Sequence, residues 1–118
     1  MNKEVEKLLE KKGVEINALN GNEFQISINA SGRRDEIEKY AKELDVKVED
    51  GKQRYMTALD YVQLVASAIT IIDFLLRMKK AYGSSLTIGI KSRITKKIVE
   101  RPVDDVIETI INQAKKTT

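Results

Sequence analysis

The stretch from Thr57 to Lys80 constrains this chain more than any other. Ala58, Tyr61, Val62, Leu64, Val65, Ala68, Ile69, Ile72, Leu75 and Leu76 fall at spacings that cover more than half of a helix circumference. Asp60, Gln63, Ser67, Thr70 and Arg77 form a narrow polar stripe between them. Thr57, followed three residues later by Asp60, reads as a capping box at the head of one helix over 57–80. At about 1.5 Å per residue such a helix spans roughly 35 Å, the whole width of a small domain. An apolar face that wide needs a sheet on one side and another helix, or a second copy of the chain, on the other. Asp60 and Asp73 lie within the stretch, and no uncharged run reaches the roughly 18 residues of a membrane span. The expectation is a buried spine with no membrane contact.

Around it the chain alternates hairpins and helices. Val5, Leu8 and Leu9 give a helix over about 3–12, stopped by Gly13. Val14, Ile16 and Ala18 alternate before Asn20-Gly21-Asn22, and Phe24, Ile26 and Ile28 alternate after it. A three-residue loop would pair Ala18 with Phe24, Ile16 with Ile26 and Val14 with Ile28, in a hairpin over about 14–30. Ile37, Tyr40, Ala41 and Leu44 predict a helix over about 33–44. Asp50-Gly51 then predicts a short hairpin over about 45–56, with Val46 opposite Tyr55 and Val48 opposite Gln53. Leu86, Ile88 and Ile90 return through Lys91-Ser92-Arg93 to Ile94 and Ile98 in a third hairpin over about 85–100. Pro102 opens a last helix over about 102–115, with Asp104 and Asp105 at the positive end of its dipole.

Three hairpins with short connections predict an α+β two-layer sandwich: a mainly antiparallel sheet with helices mostly on one face. At 118 residues the chain is expected to form one compact domain. Phe24, Ile26, Ile28, Leu64, Ile72, Leu75, Ile88, Ile98, Ile107 and Ile111 are its candidate core.

Composition narrows the function classes. The sequence has no cysteine and no histidine, so disulfides, thiolate chemistry and the usual neutral-pH general base are unavailable. Gly89-Ile90-Lys91-Ser92 lacks the spacing of a phosphate-binding loop. Asp60 and Asp73 project about 220° apart around one helix and cannot converge, whereas Asp73 and Arg77 are spaced as an ordinary intrahelical ion pair. Asp104, Asp105 and Glu108 make an acidic turn, of which the helix dipole explains the first two without a cation, and no second ligand cluster would complete a metal site. No catalytic, cofactor or metal residue is assigned, and the expectation is a non-enzymatic protein without a cofactor. The charged helical N-terminus, Met1 to Lys12, is not an export signal, which makes the cytoplasm the expected location.

One charge feature stands out. Between Arg77 and Arg101 the chain holds eight Lys or Arg and one acid, a formal +7 on a protein of +3. Arg77, Lys79 and Lys80 fit the end of a helix, where the dipole favours cations. That leaves Lys91, Arg93, Lys96 and Lys97, with Arg101, on a basic hairpin. The candidate partner-binding set is therefore Lys91, Arg93, Lys96, Lys97, Arg77, Lys80 and Arg101. The leading reading is a small module that meets an acidic partner or protein interface through this hairpin, self-association as a homodimer included. The alternative is nucleic acid, with the same cations on phosphates. Tyr82 is the one aromatic in the window, which is poor provision for stacking bases. Lysines that protect a sheet edge against aggregation would also explain the charge.

The order of apolar helix, basic helix end, alternating hairpin and short apolar helix, from Leu59 to Ile111, resembles the small effector-associated constant component domains of prokaryotic conflict systems. The resemblance covers about half the chain and rests on element order rather than on motif residues. It implies an adaptor or scaffold beside a separate effector, and no catalytic residue.

Overall fold

The computed structural model describes residues 3–19, 23–49, 61–91 and 98–117. In chain order the elements are α1 (Lys3–Lys11), α2 (Ile16–Leu19), β1 (Glu23–Asn29), α3 (Arg34–Glu43), β2 (Lys47–Glu49), β3 (Tyr61–Ser67), α4 (Ala68–Tyr82), β4 (Thr87–Lys91), β5 (Ile98–Pro102) and α5 (Val103–Thr117). The strands form one sheet in the order β2-β3-β1-β4-β5, and every neighbouring pair is antiparallel. The α+β class expected from the sequence is the class observed.

The expected spine is two elements. Residues 61–67 are a strand, and the helix starts only at Ala68. Ser67 makes the break: its backbone is extended, and its hydroxyl accepts a hydrogen bond from the Thr70 amide at 3.3 Å, as an N-cap does. Within the strand Val62, Leu64 and Ala66 share one face and Gln63, Val65 and Ser67 the other, a period of two that the overlapping 3.6 spacing conceals. Thr57 and Asp60, the expected cap, lie outside the described residues.

The first expected hairpin is also replaced. Gly13 takes a left-handed turn, φ 71°, after which the Val14 amide donates to the Leu9 carbonyl at 2.8 Å and Ile16–Leu19 coil into a short helix. This segment does not lie beside β1: β3 pairs with β1 along its whole length, and on the other side Ile90 of β4 takes the place opposite Ile28 expected of Val14. Phe24, Ile26 and Ile28 thus pair with Ala66, Leu64 and Val62. Val48 of β2 pairs with Leu64; Gln53 and Tyr55, its hairpin's expected partners, lie outside the described residues. The turns at 20–22 and 50–51 lie outside the described residues. The third hairpin forms in the expected region but in another register: Ile90 pairs with Val99 and Lys91 with Ile98, so Val99 rather than Ile98 is in phase with Ile88 and Ile90, and α5 follows β5 directly.

Strand parity sorts the sheet into two faces. Ile26, Ile28, Val62, Leu64 and Ile88 point into the core, where they meet Ile37, Ala41, Ile72, Phe74, Leu75, Ile107 and Ile111. Helices α3, α4 and α5 pack against the strands, while α1 and α2 pack on α4 and α5. Helix α4 is thereby enclosed, and Ile71, Ile72, Phe74 and Leu75 are fully buried. Of the candidate core, Phe24 is partly buried at its rim. The opposite sheet face carries Gln25, Ser27, Asn29, Gln63, Val65 and Glu100 by the same parity.

Leu64→Ala removes a fully buried side chain from the second strand of the sheet, so urea unfolding should show a loss of about 2–5 kcal/mol. Val48→Ala, at an exposed edge position, should cost well under about 1 kcal/mol.

Candidate interaction site

The fold places the described part of the basic window on α4, β4 and β5. Strand β3 ends at Ser67, opposite Glu23, and α4 begins there. Helix α4 then runs back for fifteen residues, about 22 Å, and its C-terminal end connects through Gly83 to the base of β4. Lys91 pairs with Ser27, so β4 runs back towards the end where α4 starts. Arg77 and Lys80 therefore sit near the start of β4, the end at which Arg101 pairs with Ile88. The backbone of Lys91 is placed in β4; Arg93, Lys96 and Lys97 lie outside the described residues.

At the base, the cations are mostly engaged. Arg77 faces Asp73 at 3.6 Å, the pair expected from i, i+4 spacing, and Glu43 of α3 at 3.5 Å. Lys79 donates to Asp104 at 2.8 Å and ties the end of α4 to the first turn of α5. The Arg33 guanidinium lies 4.7 Å from the centre of the Tyr82 ring, where the ring's negative face attracts it. Exposed pairs of this kind contribute about 0–1 kcal/mol each. Lys80 lines a shallow groove of about 580 Å³ with Lys3, Glu4, Tyr40, Leu76 and Arg77. Arg77 and Lys80 thus belong to the helix packing and do not extend the hairpin surface.

Arg101 belongs to the hairpin. It is exposed on β5, opposite Ile88, and makes no ion pair among the described residues. Val99, two residues earlier, pairs with Ile90 and shares the core-side face, yet it is 46% exposed because β5 is the sheet edge. Sequence reasoning passed over Val99, because the alternation through Ile94 and Ile98 put Ile98 on the core side, and only the observed register gives that side to Val99.

On the other sheet face a polar row crosses four strands. Tyr61 of β3 pairs with Asn29 of β1, whose amide donates to Glu100 of β5 at 3.2 Å, over Gly89 of β4. A Cβ on Gly89 would come within 2.5 Å of the Glu100 Oε1 and 3.2 Å of the Asn29 Cβ. Gly89 is therefore the gap that lets Asn29 and Glu100 meet, not part of a phosphate loop. Tyr61 is only 6% exposed, and its hydroxyl has no hydrogen-bond partner among the described residues. Burial, and secondarily the Glu100 charge, raise its phenol above the ordinary value near 10.

Among the described residues, no group of three or more acids could hold a metal ion, and no helix is long and apolar enough to cross a membrane. No family model, curated protein or solved structure compared with the chain matches it. The element order behind the resemblance to effector-associated components also differs in the structure, since 61–67 is a strand where an apolar helix was expected.

Tyr61→Phe removes a buried hydroxyl without a partner, so it should leave stability unchanged or raise it by up to about 1 kcal/mol. Because the folded-state phenol is raised, its stabilising contribution is present below pH 10 and is lost as pH climbs through the folded value. Denaturation at pH 9 and 11 should show a decline in the parent protein that Tyr61→Phe reduces.

Proposed function

We propose that this chain is a small, non-enzymatic binding module that meets an acidic protein partner through the edge of its basic hairpin. The observation that supports it most is the combination on β5: an exposed Val99 and an exposed, unpaired Arg101 on the free edge of the sheet, leading back to the Lys91–Lys97 segment. The ion pairs at the end of α4 account for Arg77 and Lys79, so the hairpin holds the charge with no structural explanation.

Protein is favoured over nucleic acid by Val99, whose exposed apolar area a phosphate backbone does not use. A cytoplasmic setting and a scaffold role beside an effector fit a module of this kind, and self-association remains a competing use of the same edge.

Fluorescence anisotropy at low salt, with labelled poly-glutamate and a 20-base-pair duplex as probes, tests the reading. Poly-glutamate should bind, and Lys96→Glu with Lys97→Glu should weaken it at least about ten-fold. Tighter binding to the duplex, falling steeply with salt, would replace this reading by the nucleic acid one.

A further inference from the structure

We infer that the acidic partner binds by adding a strand to the outer edge of β5, placing a carboxylate opposite Arg101 and an apolar side chain opposite Val99. This rests on the acidic-partner reading and specifies its geometry. The sheet has two edges, β2 and β5. Strand β2 is three residues long and carries Lys47, which suits a protected edge. Strand β5 is five residues long, pairs with β4 along its whole length, and has no strand on its other side among the described residues. Its outward backbone groups are a template for an incoming strand.

Parity states what that strand must carry. Val99 and Arg101 share the core-side face, two residues apart, and Glu100 lies on the other. Directly opposed side chains on a sheet sit about 4.5–5.5 Å apart, close enough for a carboxylate to meet Arg101 and for an apolar group to cover Val99. The partner therefore has an apolar and an acidic residue at positions two apart, with a neutral or basic residue between them to face Glu100. A second copy of this chain fits poorly. Continuing the sheet through a two-fold axis with all five residues paired sets Glu100 against Glu100. Centring on Arg101 sets Arg101 against itself, and centring on Val99 leaves three pairs. Like charges directly opposite are unfavourable.

The test titrates the full chain with a seven-residue peptide, threonine except for valine and glutamate two positions apart, and with the same peptide carrying lysine for glutamate. Amide shifts by NMR report the site. The glutamate peptide should move the amides of residues 98–101, bind at least ten-fold more tightly than the lysine peptide, and lose that preference to the lysine peptide in Arg101→Glu. If poly-glutamate binds while the 98–101 amides stay still, strand addition is wrong and the acidic-partner reading stands. Failure of poly-glutamate to bind at low salt removes both. A dimer in sedimentation whose edge amides are protected from exchange would give the edge to a second copy and overturn the inference.

Discussion

The ladder between β1 and β3 is the interaction on which the rest of the fold depends. Seven residue pairs, from Glu23 with Ser67 to Asn29 with Tyr61, join segments about forty positions apart in the chain. That register sets Phe24, Ile26 and Ile28 beside Ala66, Leu64 and Val62 on one face, and a slip of one residue would turn all of them towards water. It also decides what else can pair. With β3 on one side of β1, only the other side is open to β4, and the 14–19 segment is excluded from the sheet. The same ladder fixes Ser67 at its end, where the chain must turn back across the sheet as α4.

This explains which parts of the fold were legible in the sequence. Local signals were sufficient where an element's partner is close in sequence: α1, α3, α5 and the β4–β5 hairpin lie within a few residues of their expected bounds. They failed where partners are distant. Val14, Ile16 and Ala18 alternate as a strand would, but alternation offers a strand without guaranteeing it a neighbour. From Tyr61 to Ser67 the same apolar residues satisfy both a helical and an alternating pattern, and long-range pairing with β1 selected the second. Ser67 followed by Thr70 was the local clue to the break, obscured by the polar stripe to which both residues were assigned.

The candidate site followed the same division. Charge along the sequence located the hairpin, and Arg101 is on it, whereas Arg77 and Lys80 were grouped with it by proximity in the chain alone. Glu43, which engages Arg77, comes from a helix more than thirty positions earlier. Val99 and Glu100 acquire meaning only from topology, because an edge strand leaves exposed what an interior strand would bury.

The two sheet faces leave β5 in an unusual balance. On one face Glu100 is held by Asn29 across the gap at Gly89, so the strand's acid is tied to the interior of the sheet. On the other, Arg101 and Val99 have nothing opposite them in the sheet beyond β4. The strand's own acid is thus kept from neutralising its neighbouring arginine, since adjacent residues point to opposite faces and Glu100 is already engaged. A cation beside an apolar side chain on an open edge then gains a counter-charge only from outside the sheet. Edge geometry and charge together make the hairpin a surface that complements an acidic strand better than it complements itself.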